Sequence, residues 1–138
     1  MATRSAEAEH SAGLVAGDPG PLSAWRAHLD AGRFMLQRCT GCARHVFYPR
    51  VLCPHCAGAA LEWVEAGGGG TVYSVTVVSR RPEQGGNYNV ALIDLDEGVR
   101  LMSRVDGIPP ERVAIGLRVR HAIDRSEAAP LLVFKPDA

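Results

Sequence analysis

The sequence carries no excess charge of either sign, since fifteen Lys and Arg residues balance fifteen Asp and Glu residues among 138. Domains that hold nucleic acid mainly through phosphate attraction are usually basic, so this balance argues against that class but leaves room for a local basic patch. No stretch approaches the roughly 18 continuous apolar residues of a membrane helix, and the first ten residues lack the apolar core of a secretory signal. We therefore expect a cytoplasmic protein that makes no membrane contact.

Cysteine is scarce, and all four cysteines lie in one short window as Cys39-x-x-Cys42, ten residues, and Cys53-x-x-Cys56. Zinc takes four soft ligands at tetrahedral corners, and each CxxC turn supplies two thiolates on one side of a metal. A reducing compartment favours metal over disulfide bonds. The same ligands can hold iron, as in rubredoxin, but no second cofactor motif supports electron transfer. We predict a structural Zn²⁺ bound by Cys39, Cys42, Cys53 and Cys56.

The pattern of the chain predicts three segments. Residues 1–21 are rich in Ala, Gly, Ser and Glu and are expected to form a flexible arm. Residues 22–66 combine a short helix, predicted over 22–32, with the cysteine-rich ribbon. Four glycines at 67–70 then mark a boundary, and the glycine run is interpreted as a hinge or a bulged strand start. Residues 67–138 form the last segment.

The last segment contains five strand-like stretches, at residues 71–79, 88–95, 99–105, 117–124 and 131–135. The second stretch is apolar on both faces and is expected to be a buried strand. A small closed barrel buries such strands and removes their edges, and the insertion between the third and fourth suits the OB-fold. The predicted fold is mainly β: an N-terminal helix, a rubredoxin-like zinc ribbon and a five-stranded OB-fold barrel.

The remaining titratable residues predict no self-contained catalytic site. His45 and His55 are interpreted as surface groups beside the metal, and His121 as a core histidine. Asp94, Asp96 and Glu97 flank a predicted hairpin turn. Acidic residues are common in turns, so we interpret them as turn residues rather than as a general acid and base. The glycine run lacks the Lys-Ser/Thr of a phosphate loop.

Arginines offer one route to an anion site in the last segment. Two lie in the loop after the first strand, and four lie on outward strand faces: Arg80 and Arg81, then Arg100, Arg104, Arg118 and Arg120. If the strands 99–105 and 117–124 lie close, their four guanidinium groups share a neighbourhood. A phosphate-bearing ligand is then reasonable.

The order of motifs resembles the family of small zinc-ribbon plus OB-fold proteins described as acyl-CoA-associated, formerly a domain of unknown function. The resemblance covers roughly residues 22–136. It rests on the four cysteines and on Gly32-Arg33-Phe34, Gln37-Arg38, Phe47-Tyr48-Pro49-Arg50, Pro54-His55, Glu62-Trp63, Gly70-Thr71-Val72-Tyr73-Ser74, the hairpin from Ala91 to Arg100, and Ile115-Gly116.

The resemblance implies a non-catalytic accessory subunit rather than a self-sufficient enzyme. Members look like partners of thiolase-superfamily proteins (thiolases, acyl-CoA synthases or aldolases), and others accompany hydratases. They support C–C bond formation or cleavage on acyl-CoA held in a hetero-oligomer. Coenzyme A carries three phosphate groups and an adenine ring, so the candidate contacts are Arg50, Arg80 and Arg81.

Two further expectations accompany this interpretation. A docking surface is expected around Trp25 of the helix and the ribbon residues Phe34 and Phe47. The alternative function is a nucleic-acid-binding OB and zinc-ribbon module, which needs aromatic stacking platforms on a basic groove. Only three Phe, three Tyr and two Trp occur in the chain, and most precede the predicted barrel. Nucleic acid is therefore an unlikely partner.

Overall fold

The structure, a computed structural model, describes residues 20–137, which divide into two compact units between Ala66 and Gly67. Residues 1–19 and residue 138 lie outside the described residues, and with them most of the arm expected over 1–21. The last two residues of that segment belong to the first helix, which begins at Gly20. No helix within the described residues is long and apolar enough to cross a bilayer.

The first unit consists of one helix and a three-stranded antiparallel sheet in the order β2-β1-β3. Its elements are α1 (Gly20–Asp30), β1 (Met35–Cys39), β2 (His45–Val46) and β3 (Leu61–Glu65). The central strand β1 is largely buried. Its register pairs Gln37 with both Val46 and Trp63, and Cys39 with Leu61. The strand therefore holds its last residue, a predicted metal ligand, at one end of the sheet.

The helix ends at a glycine because its last carbonyls need partners. The Gly32 N–H donates to the Leu29 carbonyl and the Arg33 N–H donates to the His28 carbonyl, both at 2.9 Å. This is the Schellman pattern, which requires positive φ, and Gly32 has φ +84°. The helix thus stops at Asp30, two residues before the predicted end.

The aromatic residues expected to form a docking surface mainly build the interior of the first unit. Phe34 is only 2% exposed, so its predicted docking role is wrong. The Trp25 indole N–H donates to the Met35 carbonyl at 3.0 Å, and its ring meets Phe47 edge-on at 5.6 Å. Because Trp25 packs against Phe47 within the unit, most of its ring is not available to a docking partner.

The second unit is a five-stranded antiparallel sheet in the order β6-β5-β4-β7-β8. Its strands are β4 (Gly69–Val78), β5 (Tyr88–Leu95), β6 (Arg100–Ser103), β7 (Arg118–Asp124) and β8 (Leu131–Pro136). The expected five strands are present, but the sheet is not a fully hydrogen-bonded cylinder. The two edges meet at a single parallel bridge between Val105 and Phe134.

Strand β5 differs from the prediction that both of its faces are buried. Its burial alternates: Asn89, Ala91, Ile93 and Leu95 are buried, and the intervening residues are half-buried. The first face points into the core of this unit because the curved sheet encloses only one side. Continuous apolar sequence therefore overstated the burial of this strand.

The second half of the glycine run begins a strand, as one of its two interpretations expected. Gly69 is the first residue of β4, and the bulge in this strand falls later, between Val72 and Ser74. A Cβ at Gly70 would lie 2.8 Å from Ile93 Cγ2, and one at Gly68, where φ is +90°, would collide with the His121 ring. These glycines permit close approach between strands.

Candidate functional site

The four cysteines converge on one point of the first unit. Their Sγ atoms all lie within 4.8 Å of one another, and none forms a disulfide bond. The Cys39–Cys56 and Cys42–Cys53 sulfur pairs are separated by 3.6 and 3.7 Å. A tetrahedral zinc with Zn–S bonds of about 2.3 Å requires sulfur separations of about 3.8 Å. The residues present therefore fit a four-thiolate Zn²⁺ site.

Two turns of the same construction build this cluster. In the first, the Ala43 N–H donates to the Cys39 carbonyl at 2.7 Å, and in the second the Ala57 N–H donates to the Cys53 carbonyl at 2.8 Å. Both alanines have positive φ, 68° and 64°. Each turn folds the chain back after its CxxC pair, so the two thiols of a pair face the same point. The positive-φ alanines were not foreseen, because alanine carries no sequence signal for that conformation.

The electrostatics of the cluster favour a cation. The backbone N–H of Cys42 is the main cause that lowers the pKa of the Cys39 thiol to about 7. The Gly58 N–H acts in the same direction at Cys56, but the thiols around Cys56 and its partial desolvation together raise its pKa to about 11. Several thiolates this close repel one another unless a metal ion compensates their charge.

Histidine is not part of the sulfur cluster among the described residues. The His55 Nδ1 lies 3.3 Å from Arg44 Nη1 at the exposed side of the second turn. The His55 backbone N–H approaches Cys53 Sγ at 3.4 Å. Its N–H therefore supports a sulfur, while its ring belongs to the surface.

The predicted cluster of four outward arginines is wrong, because each has its own carboxylate. Strands β6 and β7 are separated by two strands. The ion pairs are Arg100–Asp94 at 2.6 Å, Arg104–Asp106 and Arg104–Asp124 at 2.7 Å, Arg118–Asp96 at 2.9 Å and Arg120–Asp137 at 3.6 Å. Two carboxylates of the β5–β6 hairpin thus serve as arginine partners. Charge compensation leaves this surface poorly suited to phosphate.

Arg80 differs from these four arginines, because the loop after β4 is folded around its guanidinium. Its Nε donates to the Gly86 carbonyl at 3.0 Å, and its Cζ lies 4.7 Å from the centre of the Tyr88 ring. Gly85 has φ +111°, which favours glycine, and a Cβ there would lie 2.7 Å from Arg80 Nη2 and displace the guanidinium. Within residues 20–137, no carboxylate lies within ion-pair distance of Arg80. This side chain is therefore positioned but electrically uncompensated.

Arg81, the neighbouring candidate, lies in a different environment. Its Nε is 3.7 Å from Glu83 Oε2, and both side chains are largely exposed. An exposed ion pair at this distance is weak and exchangeable. Arg81 can therefore assist an anion but is not held in one position.

A cleft of about 500 Å³ opens beside Arg80 in the second unit. Its walls come from the loop after β4, the segment after β6 and the loop between β7 and β8, and they include Arg80, Tyr88, Asn89, Arg104, Val105, Asp124, Ser126 and Glu127. The volume lies in the range of small-molecule sites, and the loops correspond to those with which OB-folds hold ligands. Of these lining residues, Tyr88 and Glu127 belong to no sequence motif, so the sequence did not single them out.

Arg50, the third candidate, lies on a loop that a buried amide holds in place. Gln37 is 5% exposed. Its Nε2 donates to the Arg50 carbonyl at 2.8 Å, and its Oε1 accepts the Arg50 N–H at 2.7 Å. The same loop exposes Tyr48 and Leu52, at 55% and 51%. A buried polar side chain thus fixes a loop whose apolar side chains face solvent.

Two family models match successive parts of the chain. Residues 26–62 match the family model described as ChsH2, rubredoxin-like zinc ribbon domain. Residues 63–124 match the one described as ChsH2, C-terminal OB-fold domain. Together the two matches cover the metal cluster, the Arg50 loop and most of the cleft.

Three individual relatives extend the comparison. A probable enoyl-CoA hydratase alpha subunit of Thermomonospora curvata is 39% identical over 81% of this chain, which spans 36% of that protein's length. A DUF35 domain-containing scaffold protein of Methanocaldococcus jannaschii is 34% identical over 75% of this chain and 77% of its own length. A solved Ltp2-ChsH2(DUF35) aldolase superposes with a TM-score of 0.76 at 33% identity, covering 86% of this chain and 95% of that one.

These matches confirm the resemblance and the fold predicted from the sequence. They include both the zinc ribbon and the OB-fold, in the predicted order. A 34% identical relative is matched over more than two thirds of its length. The chain therefore belongs to the DUF35 family of ChsH2-type zinc-ribbon and OB-fold proteins.

Proposed function

We propose that this protein is a non-catalytic accessory subunit that binds acyl-CoA and docks on a thiolase-superfamily partner. In that complex it supports C–C bond formation or cleavage on CoA thioesters. One relative is named an enoyl-CoA hydratase alpha subunit, and another is the DUF35 chain of an Ltp2-ChsH2 aldolase. Both names describe assemblies rather than free-standing chains.

The chemistry of the described residues supports an accessory role. The four thiols converge at one point suited to a metal, and the hairpin carboxylates Asp94 and Asp96 are paired with arginines. A zinc held by four thiolates supplies structure, because no coordination position remains for a substrate. The groups left for a ligand are therefore the uncompensated arginines.

Arg80 carries the proposal for acyl-CoA. Its guanidinium is held by Gly86 and Tyr88 but lacks a carboxylate partner within residues 20–137. Guanidinium groups recognise phosphate through paired N–H donors, and CoA offers three phosphate groups. Arg81, next in the chain, is proposed as a second phosphate contact that exchanges its exposed pairing with Glu83. Arg50 of the first unit is the third proposed contact.

The partner is proposed to meet the first unit at the loop that Gln37 holds. This loop exposes Tyr48 and Leu52 on either side of Arg50. Tyrosine and arginine are enriched where interfaces concentrate binding energy. A loop already fixed by buried hydrogen bonds loses little conformational freedom on docking.

Acyl-CoA binding can be tested on the isolated full chain by isothermal titration with CoA, acetyl-CoA and pantetheine. We expect CoA and acetyl-CoA to bind and pantetheine to bind at least tenfold more weakly. Arg80→Ala should weaken CoA binding about tenfold or more, which corresponds to about 1.4 kcal/mol. Arg112→Ala removes the same charge from an exposed helical turn and should have no effect. Unaided turnover of a thioester, or equal binding of pantetheine, would contradict the proposal.

Docking can be tested by co-expressing this chain with thiolase-superfamily proteins from its own organism. We expect a stable hetero-oligomer on size-exclusion chromatography with light scattering. Replacing Tyr48 and Leu52 with serine should weaken it while zinc content stays at one per chain. A chain that elutes as a monomer at micromolar concentrations of both proteins, with or without CoA, would refute this part.

A further inference from the structure

We infer that Cys56 is a modification site at which the zinc-loaded ribbon reacts first with oxidants of the hydroperoxide class. Cys39 completes the reaction by forming a disulfide bond with Cys56, and the metal is released. The inference goes beyond the proposed function, because it assigns a reaction to the metal ligands themselves. It makes the ribbon a structural element that an oxidant can take apart.

The four ligands differ in how far solvent reaches them. Cys39 and Cys53 are buried, Cys42 is half-buried and Cys56 is exposed. A thiol that coordinates a metal is already deprotonated, so the four sulfurs of the loaded site do not differ in protonation. Access therefore decides which sulfur meets a dissolved reagent first, and access favours Cys56.

The surroundings of Cys56 leave its sulfur open to a reagent. A Cβ at Gly58 would lie 3.4 Å from Cys56 Sγ, and apart from the chain neighbours of Gly58 no other atom lies within 4 Å of that position. The turn from Cys53 to Gly58 contains no carboxylate. The Arg44 guanidinium lies 3.3 Å from the ring of His55, the residue before Cys56. Exposed surroundings with positive charge are typical of reactive cysteines.

A second sulfur lies where it can complete the oxidation. Cys39 Sγ is 3.6 Å from Cys56 Sγ, and Cys42 Sγ is 3.7 Å from Cys53 Sγ. Both of these close pairs join one CxxC turn to the other. A sulfenic acid condenses with a neighbouring thiol to give a disulfide bond. We therefore expect the first disulfide bond to link the two turns rather than to close either CxxC pair.

The reaction balances in two steps. The Cys56 thiolate attacks the terminal oxygen of the hydroperoxide, so an S–O bond forms and the O–O bond breaks. The sulfur is oxidised to a sulfenic acid, and the alkoxide that leaves takes a proton from water and becomes an alcohol. The Cys39 thiolate then attacks the Cys56 sulfur, so the S–S bond forms and hydroxide leaves. The two thiolates that remain cannot supply the four ligands of a structural zinc site.

The test treats the full, zinc-loaded chain with one equivalent of tert-butyl hydroperoxide. A colorimetric chelator should detect about one zinc released per oxidised chain. Trypsin separates residues 39–44 from residues 51–80, so a disulfide bond between the turns joins two peptides that a bond within either CxxC pair leaves separate. Mass spectrometry should find the joined peptides, and fragmentation should place the bond between Cys39 and Cys56.

Three results would overturn the inference. The first is that the chain keeps its zinc and its four thiols under excess hydroperoxide, or holds no zinc to begin with. The second is that the two peptides stay separate because the bond lies within a CxxC pair. The third is that the first disulfide bond joins Cys42 and Cys53, since this would remove Cys56 from the reaction.

The order of attack is tested separately with limiting N-ethylmaleimide, which marks an accessible thiolate without needing a second cysteine. We expect Cys56 to carry the first adduct, with at least about fivefold more label than any other cysteine. First labelling of Cys42 or of a buried cysteine, or equal labelling of all four, would show that access to Cys56 does not control the reaction.

Two glycines provide matched variants for this second test. Gly58→Ala should slow both reactions severalfold, because its methyl group would cover the Cys56 sulfur at 3.4 Å. Gly41→Ala places its methyl group 3.6 Å from Cys39 Sγ and 4.0 Å from Cys56 Sγ, so it should slow them less. Neither glycine has a positive φ, so alanine fits the backbone at both positions. Equal rates in the two variants would contradict the assignment to Cys56.

Discussion

The buried side-chain amide of Asn89 binds the backbone where the two edges of the second unit's sheet meet. Its removal tests how much these hydrogen bonds contribute to the free energy of unfolding. Asn89 is 3% exposed. Its Nδ2 donates to the Val105 carbonyl at 2.8 Å, and its Oδ1 accepts the Val105 N–H at 2.9 Å. Asn89→Ala would therefore leave two backbone groups without partners at the bridge that joins the two sheet edges.

The magnitude follows from the surroundings of Val105. Phe134 bonds to the residues on either side, through its N–H to Arg104 and its carbonyl to Asp106, so it cannot replace the amide. Val105 is 1% exposed, so solvent cannot replace it either. Each unsatisfied buried group costs about 1–3 kcal/mol. The expected loss in the free energy of unfolding is therefore about 2–6 kcal/mol, a large share of the stability of a small domain.

Asn87 provides a matched control in the preceding loop. Its side chain also makes two hydrogen bonds, with the Arg80 N–H and with Glu111, but it is exposed. Water can replace both partners, so Asn87→Ala should cost less than about 1 kcal/mol. Urea unfolding followed by tyrosine near-ultraviolet circular dichroism measures both losses, and hydrogen exchange over residues 104–106 locates them.

The result that would refute this reasoning is a small difference between the two variants. If Asn89→Ala costs no more than Asn87→Ala and residues 104–106 stay protected from exchange, Val105 has found other partners. Burial would then not be the property that distinguishes the two amides.

Three further predictions concern the metal, a glycine and pH. Zinc removal by a chelator should unfold residues 20–66 while the OB unit keeps its circular dichroism spectrum; retention of native ribbon structure without metal would contradict this. Gly68→Ala should cost several kcal/mol more than Gly98→Ala, since both have positive φ but only Gly68 faces a side chain, that of His121, at 2.2 Å from the added Cβ; equal unfolding midpoints would exclude the steric reason. Hydrogen bonding from Arg118 holds the pKa of Asp96 below its ordinary 3.8, so this pair stabilises the fold above about that pH and is lost as pH falls further. The stability advantage over Arg118→Met should therefore stay constant from pH 6 to about pH 5 and shrink as the pH falls toward 3, and an advantage that stays constant over the whole range would contradict it.

The local features of the metal cluster were readable from the sequence. Each CxxC turn is built by residues within a few positions of one another, such as Cys39 with Ala43 and Cys53 with Ala57. Interactions of such short range depend little on the rest of the fold. The strand number of the last segment was readable for a similar reason, because turns and alternation are local patterns.

The environment of each charge was not readable in this way. Arg100 faces Asp94 because β5 and β6 pair in that register, and Arg118 meets Asp96 although 22 residues separate them. In the sequence the six candidate arginines cannot be told apart. In the structure the four strand arginines form ion pairs with carboxylates, whereas Arg80 does not.

The sequence by itself determined the clustering of the four cysteines, the order of the two units and the family, because spacing and turn chemistry act over a few residues. Only the tertiary structure decided which side chains are available to a ligand. That availability depends on which strands pair, as for Arg100, and on how a loop closes, as where Gly85 leaves room for Arg80. Both are set by contacts between residues that are distant in the chain or by steric room that composition does not reveal.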